Sequence, residues 1–142
     1  MARMKYIIIS LTICLSAPLL ALEKPYAPDS MSDAVTVNAE EVVDMILANP
    51  DLIVIDARKR SEYLKGHIEG AINILNTELL PESLQLISSD KTAALLFYCN
   101  GIRCLRSADS VKKSASWGYT KIYWFRGGWK EWKAKRLPVV SE

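Results

Sequence analysis

The sequence predicts an α/β fold in which helices cover both faces of a mostly parallel sheet. Two observations predict a single domain of this fold class. Short apolar runs typical of strands alternate with helix-like segments along most of the chain. The chain also has 142 residues, of which 50% are hydrophobic and 24% charged, and this length and balance are typical of a single globular domain.

Five apolar runs are predicted to be strands. They are Val35–Val37, Leu52–Asp56, Ala71–Ile74, Ala93–Tyr98 and Lys121–Phe125. The run LIVID at residues 52–56 is apolar until its closing acid, as expected of a parallel strand that is buried on both faces. The run AALLFY at residues 93–98 is the strongest strand signal in the chain, and it leads directly into Cys99.

Five segments between and after these strands are predicted to be helices. They are the segment that follows Asn38, Arg60–Leu64, Leu79–Ile87, Leu105–Ser116 and Trp129–Lys135. Asn38 and Glu41 have the spacing of a capping box, which predicts where the first helix begins. The Asn-Pro pair at residues 49–50 is expected to end that helix, and Gly66 and Gly118 are expected to stop two later ones.

The first 21 residues have the pattern of a secretory signal peptide. Arg3 and Lys5 make a basic start, and the apolar run Tyr6–Leu15 that follows is shorter than the ~20 residues a membrane-spanning helix needs. Small residues then lead to Ala21, after which we expect cleavage. The sequence therefore predicts a periplasmic or secreted protein, and an uncleaved membrane anchor is the alternative.

Residues 22–33 contain two prolines and several small polar residues, which predicts a linker that leads into a domain over residues 34–142. The whole chain has 18 basic and 16 acidic residues. Removal of Arg3 and Lys5 with the signal peptide would leave equal numbers of basic and acidic residues. A neutral mature chain argues against nucleic acid or a membrane surface as its partner.

Cleavage after Ala21 would leave two cysteines, Cys99 and Cys104, in the mature chain. In an oxidising compartment such a pair can form a disulfide, but a single bridge over so short a span cannot staple a domain. Zinc is also a poor explanation, because two cysteines and the distant His67 do not make a set of four ligands. We therefore expect no metal and no cofactor.

The segment FYCNGIRCLRSAD, residues 97–109, carries the most chemical information. Cys99 lies at the carboxyl end of a predicted buried strand, which is where ligands bind in open α/β sheets. The loop that follows can turn its backbone N–H groups towards an anion, and the next helix adds its positive dipole end. The predicted anion-binding loop consists of Asn100, Gly101, Ile102, Arg103, Cys104, Leu105 and Arg106.

These surroundings are expected to favour a thiolate at Cys99, because cationic groups and helix N-termini lower the pKa of a thiol below its usual ~8.5. A thiolate in an anion-binding loop suits sulfur transfer from thiosulfate, in which sulfite leaves as a stable anion and needs no general acid. No histidine lies near Cys99 in the sequence. This absence argues against a hydrolase with a Cys-His pair.

Two further segments resemble the signatures of the rhodanese family. Val54–Ile74 (VIDARKRSEYLKGHIEGAINI) is similar to the first signature, Gly118–Val139 (GYTKIYWFRGGWKEWKAKRLPV) is similar to the closing one, and Cys99 lies between them. The resemblance implies a rhodanese-like sheet of five parallel strands flanked by helices and a persulfide on Cys99. Together with the predicted signal peptide, it indicates an exported, single-domain sulfurtransferase. It also implies that Asp56 and Arg58 support the loop through a salt bridge or backbone hydrogen bonds.

The loop departs from the common family pattern in its length and in a second cysteine. The Arg106-Ser107 pair comes two residues later than in many single-domain members, so either Arg103 or Arg106 could face the anion. A longer loop also predicts a roomier pocket. Cys104 is either a loop-lining residue or a thiol that resolves a modified Cys99 as a disulfide. The resemblance gives His67 a role in shaping a turn.

The sequence therefore predicts a periplasmic sulfurtransferase or persulfide carrier. Thiosulfate or a protein persulfide would be the donor, and cyanide, a small thiol or a partner protein would be the acceptor. Two alternatives stay open, a thiol–disulfide redox protein that uses Cys99 and Cys104 and a non-catalytic module on the same fold. Phosphatase chemistry is disfavoured, because the position that needs a clamping arginine is Leu105.

Overall fold

The structure is a computed structural model that describes residues 25–142. The signal peptide predicted over residues 1–21 lies outside the described residues. The described part is an α/β fold with five strands and five helices. They are β1 (Val35–Val37), α1 (Ala39–Ala48), β2 (Ile53–Asp56), α2 (Arg60–Tyr63), β3 (Ile72–Asn73), α3 (Pro81–Ile87), β4 (Leu95–Tyr98), α4 (Arg106–Ser116), β5 (Ile122–Phe125) and α5 (Gly128–Ala134).

The five strands form one sheet in the order β1-β5-β4-β2-β3, and every pairing between neighbours is parallel. β4 is the central strand, hydrogen-bonded to β5 on one side and β2 on the other, and all of its residues are buried. This confirms the predicted fold class. Because Cys99 follows the last residue of β4, it lies in the middle of the carboxyl edge of the sheet.

Side chains of β4 alternate between two apolar clusters, one on each face of the sheet. Leu95 and Phe97 join Leu84 of α3 and Val111 of α4 in the first cluster. The intervening β4 residues join side chains of α1, α2 and α5 in the second cluster. Helices therefore cover both faces, which is why the strand sequences are apolar throughout instead of alternating.

The predicted capping box at the start of α1 is present. The Glu41 backbone N–H donates to Asn38 Oδ1 at 2.9 Å, and the Asn38 N–H donates to Glu41 Oε2 at 2.8 Å. The Ala39 N–H donates to Glu131 Oε1 of α5 at 2.8 Å. This last bond joins the first and last helices on one face of the sheet. No helix in residues 25–142 combines the length and the apolar character that crossing a membrane requires.

The segment expected to be a linker packs against the domain from residue 25 onwards. Ala27 is buried, and its N–H donates to the Ile102 carbonyl oxygen at 2.7 Å. The Arg126 guanidinium, just after β5, donates to the carbonyl oxygens of Ala27 and Pro28 and to Asp29 Oδ1, at 3.0, 2.7 and 2.9 Å. We call residues 25–29 the N-terminal strap. The residues that hold the strap lie far away in sequence. The composition of residues 22–33 therefore predicted a linker, because composition does not show such contacts.

Candidate active site around Cys99

Cys99 lies at the end of β4 and is only 1% exposed. The structure joins it to Cys104 through a disulfide bond, and the two Cα atoms lie 6.4 Å apart. This separation is within the ~7 Å limit for a bridge between two cysteines. The Cys99 sulfur is also 3.3 Å from the Cys104 carbonyl oxygen. Cys104 thus covers Cys99, and this distance meets the geometric requirement of the resolving thiol, one of the two roles left open for Cys104.

The first turn of α5 holds the carbonyl groups that begin the loop. The Trp129 N–H donates to the Cys99 carbonyl oxygen at 2.8 Å, and the Lys130 N–H donates to the Asn100 carbonyl oxygen at 3.0 Å. In a trans peptide the carbonyl and the following N–H point in opposite directions. The N–H groups of Asn100 and Gly101 therefore point away from α5.

The next two carbonyls of the loop also accept hydrogen bonds. The Cys104 N–H donates to the Gly101 carbonyl oxygen at 2.8 Å, which closes a turn, and the N-terminal strap occupies the carbonyl of Ile102. Within residues 25–142, the N–H groups of Asn100, Gly101 and Ile102 make no hydrogen bond. A loop with occupied carbonyls and unoccupied amides has the polarity of an anion-binding nest.

Gly128 allows α5 to approach this loop closely. Its φ is +54°, a left-handed conformation that favours glycine, and a Cβ atom there would lie 2.2 Å from the Cys99 carbonyl oxygen. The Gly-Gly turn at residues 127–128 was visible in the sequence as part of the closing rhodanese signature. The structure adds the reason for it, which is contact between α5 and the loop.

Glu62 of α2 binds two residues of the predicted site, Asn100 and Arg106. Its carboxylate accepts from Asn100 Nδ2 at 2.8 Å and from the Lys59 N–H at 3.0 Å, and it pairs with Arg106 Nη1 at 3.2 Å. Burial alone would raise the pKa of Glu62, but these hydrogen bonds and the Arg106 charge lower it below its usual value. Glu62 lies within the first signature segment, but no local sequence pattern indicates its contacts with Asn100 and Arg106.

The two candidate arginines reach the site from different directions. Arg106 is the first residue of α4 and carries the ion pair with Glu62. Arg103 lies over the Tyr26 ring, with its guanidinium carbon 4.1 Å from the ring centroid, and it donates to the Tyr26 hydroxyl. Both arginines line the same cleft. The sequence left open which of them would face an anion, and both are placed to do so.

This cleft has a volume of about 960 Å³, near the upper end of the usual range for ligand sites. It is lined by Pro25, Tyr26, Asn76, Asn100, Gly101, Ile102, Arg103, Cys104, Leu105, Arg106, Asp109 and Lys130. Every residue of the predicted loop from Asn100 to Arg106 is in this set, whereas Cys99 is not, because it lies beneath Cys104. Among the residues described, none form a cluster able to hold a metal ion.

Asp56 and Arg58 form a buried ion pair behind the site. Arg58 Nη2 lies 2.5 Å from Asp56 Oδ2 and donates to the Gly66 carbonyl oxygen at 2.8 Å. The Tyr98 hydroxyl also donates to Asp56 Oδ2 at 2.6 Å, and burial followed by the Asp56 charge raises the pKa of that hydroxyl. The pair therefore contacts β4 and the turn at Gly66, and the Arg58 guanidinium also lies over the Trp129 ring, 4.4 Å from its centroid. It supports the loop indirectly, through Tyr98 and Trp129.

Ser107 and Trp124 form a chain of hydrogen bonds that ends at the Cys99 sulfur, and no local sequence pattern indicates it. The indole N–H of the buried Trp124 donates to Ser107 Oγ at 3.0 Å, and Ser107 Oγ lies 3.5 Å from the Cys99 sulfur. An indole N–H can only donate. Ser107 therefore accepts from Trp124, and its own proton is directed at the sulfur. No spacing rule in the sequence joins β5 to Cys99 in this way.

His67 has a structural environment. Its ring stacks on Tyr63 with centroids 3.6 Å apart, and its Nδ1 lies 3.0 Å from the Tyr63 carbonyl oxygen. Its backbone forms an antiparallel bridge with Val140 near the carboxyl terminus. These contacts agree with the turn-shaping role that the resemblance implied.

Comparison with known proteins agrees with this architecture. The profile of the rhodanese-like domain matches residues 38–135. A tRNA uridine(34) hydroxylase from Enterobacter sp. (strain 638) is 32% identical over 123 residues, which cover 75% of this chain but 34% of the hydroxylase. The protein YibN of Escherichia coli (strain K12) is 25% identical over 112 residues, which cover 78% of this chain and 76% of YibN.

Solved structures share the fold. The BH2092 protein from Bacillus halodurans has a TM-score of 0.67 and 22% identity, covering 76% of this chain and 77% of that chain. A thiosulfate sulfurtransferase from Pseudomonas aeruginosa has a TM-score of 0.61 and 22% identity, covering 76% of this chain and 20% of that chain. The family match over most of the described residues, together with the shared fold, shows that this chain belongs to the rhodanese-like domain family.

Proposed function

We propose that this chain is a sulfurtransferase that accepts sulfane sulfur on Cys99 as a persulfide and passes it to a thiophilic acceptor. One observation carries the proposal. Cys99 follows the central strand, and the carbonyls of residues 99–102 accept hydrogen bonds from α5, Cys104 and the N-terminal strap, while the N–H groups of residues 100–102 make no hydrogen bond within residues 25–142. An anion at Cys99 would find donors and few competing acceptors.

The reaction begins with the reduced protein, because a disulfide-bonded Cys99 has no free thiolate. The Cys99 thiolate attacks the outer sulfur of the donor, a sulfur–sulfur bond forms to Cys99, and the donor's own sulfur–sulfur bond breaks. With thiosulfate the electron pair leaves with sulfite. A nucleophilic acceptor such as cyanide or a thiol then takes the outer sulfur, and the electron pair of the broken bond restores the Cys99 thiolate.

Three groups favour the anionic states in this cycle. The amino end of α4 supplies the positive end of its dipole, and Ser107 directs a hydroxyl proton at the sulfur. Arg103, Arg106 and Lys130 line the cleft and add positive charge where an anionic donor enters. Because the cleft is larger than thiosulfate needs, we propose a protein persulfide as an equally suitable donor.

The proposed place of action is the periplasm or the exterior of the cell. Its support is the basic start, apolar run and small residues that end at Ala21. Fractionation of expressing cells, with sequencing of the amino terminus of the purified protein, would test it. A protein that retains Arg3 and Lys5 in the membrane fraction would contradict export with cleavage.

The sulfur-accepting step is tested with single cysteine variants. We expect the reduced Cys104→Ser protein, in a background with Cys14→Ser, to gain one sulfur atom from thiosulfate or polysulfide and to release it to cyanide as thiocyanate. The Cys99→Ser protein in the same background is the matched control and should gain none. Intact mass spectrometry reports both results. The proposal fails if no donor leaves cyanide-labile sulfur on Cys99.

A further inference from the structure

We propose that Cys104 is a built-in acceptor that resolves the Cys99 persulfide, releases hydrosulfide and leaves a Cys99–Cys104 disulfide. The inference rests on the proposed function, because it requires a persulfide on Cys99. It adds a further activity, the reduction of sulfane sulfur to hydrosulfide by a pair of thiols within one loop. It also identifies the first acceptor as a residue of the chain itself.

The loop holds Cys104 at the right place for this reaction. The turn closed by the Cys104 N–H on the Gly101 carbonyl folds the loop back over Cys99, and the two Cα atoms lie 6.4 Å apart. The structure shows the sulfur atoms joined, so no rearrangement of the backbone is needed to form the product. A thiol already in this position competes strongly with thiols from solution, because its effective concentration is high.

The burial of Cys99 favours Cys104 over external acceptors. Cys99 is 1% exposed and does not line the cleft, whereas Cys104 is half-buried and does. An acceptor in the cleft meets Cys104 before it meets Cys99. Arg103 and Arg106 line the same cleft as Cys104 and carry positive charge there.

The step balances within the protein. The Cys104 thiolate attacks the Cys99 sulfur, a bond forms between the two cysteine sulfurs, and the bond from Cys99 to the outer sulfur breaks. The electron pair and the proton of the persulfide leave together as hydrosulfide. The sulfane sulfur is reduced and the two cysteines are oxidised. An external dithiol then restores both thiols by disulfide exchange and is itself oxidised to a disulfide.

Single-turnover chemistry without oxygen tests this step. Three proteins are compared, all with Cys14→Ser: one that keeps Cys99 and Cys104, and its Cys104→Ser and Cys104→Ala variants. Each protein is reduced, separated from the reductant and given thiosulfate. We expect the protein with both cysteines to release about one hydrosulfide per chain and to lose two hydrogen atoms in mass. Both Cys104 variants should release sulfite alone and keep the added sulfur. A sample without thiosulfate controls for oxidation by traces of air.

The outcomes separate this inference from the proposed function. If the two-cysteine protein keeps a stable persulfide and releases no hydrosulfide, the inference is overturned while the proposed function stands. If the sample without thiosulfate forms the disulfide equally fast, the inference is also overturned. If the Cys104 variants gain no sulfur, the proposed function itself has failed.

Discussion

At the scale of single residues, the Cys99 sulfur receives a hydrogen bond from Ser107, and Trp124 sets the direction of that bond. Trp124 can only donate, so the Ser107 hydroxyl accepts from Trp124 and is left to donate to Cys99. Hydrogen bonds to charged groups are worth roughly 1.5–3 kcal/mol when they are well formed. At 3.5 Å this contact is expected to be worth less than that range. Under the proposed function, a hydroxyl donor at this place would favour the thiolate of reduced Cys99 over the thiol.

The first prediction concerns Ser107→Ala. Loss of the directed hydroxyl destabilises the thiolate, so we expect the acidic limb of the pH–rate profile for sulfur uptake to shift to higher pH, by up to about one unit. Uptake at pH values above the limb should change little. Stopped-flow release of sulfite in the Cys104→Ser background measures this profile without interference from the second thiol.

Ser114→Ala is the matched control for this prediction. Ser114 is equally buried on α4, but its hydroxyl donates to the Ser110 carbonyl oxygen within the helix. This variant should leave the position of the acidic limb unchanged. Equal shifts in the two variants would show that a general loosening of α4, and not the contact with Cys99, sets the profile.

At the scale of elements, α5 determines how the loop after β4 is oriented. Its first turn donates to the carbonyls of Cys99 and Asn100 through the backbone of Trp129 and Lys130. Only a glycine at position 128 lets the two backbones come this close. The closing signature of the sequence, which looks remote from the cysteine, therefore contributes directly to the geometry of the sulfur site.

The second prediction compares Gly128→Ala with Gly118→Ala. Both glycines have positive φ, +54° and +90°, so each alanine carries a conformational cost of roughly 1–2 kcal/mol. Only at Gly128 would the new Cβ also meet backbone, at 2.2 Å from the Cys99 carbonyl oxygen, whereas nothing lies within 4 Å at Gly118. We expect Gly128→Ala to lose clearly more stability in urea unfolding and to slow sulfur uptake. Equal losses would contradict the close approach.

At the scale of the whole molecule, the N-terminal strap ties the beginning of the described chain to the site. It occupies the Ile102 carbonyl, it places Tyr26 against Arg103, and Arg126 holds it from the end of β5. Tyr26 is 53% exposed at the cleft. The wall of the cleft thus includes residues that precede the family match, which begins at residue 38.

The third prediction is that Arg126→Gln releases the strap. Loss of the charged donor should raise the rate of cleavage by chymotrypsin at Tyr26 about tenfold, because local opening controls proteolysis. The KM for thiosulfate should change as well, since one wall of the cleft becomes mobile. Arg60→Gln is the control, because Arg60 is an exposed arginine that pairs with exposed Glu142 and lies over the Tyr63 ring, not against the strap. Unchanged cleavage in Arg126→Gln would contradict a strap held by this residue.

Most of the fold could be predicted from local patterns. The apolar runs marked every strand, the Asn38 and Glu41 spacing marked the start of α1, and the observed ends differ from the predicted ones by at most two residues. These features depend on neighbours in sequence, which is why they could be recognised there. The strap could not, because Ala27 and Arg126 are brought together only when β5 joins the sheet.

The sequence by itself determined the fold class, the family resemblance and the position of Cys99 after a buried strand, because each depends on short-range patterns of apolar residues and loop residues. Only the tertiary structure decided that Cys104 covers Cys99, that Glu62 gathers Asn100 and Arg106, and that Trp124 directs Ser107. These contacts join residues on different elements. Their geometry comes from how the elements pack, and no spacing along the chain encodes it.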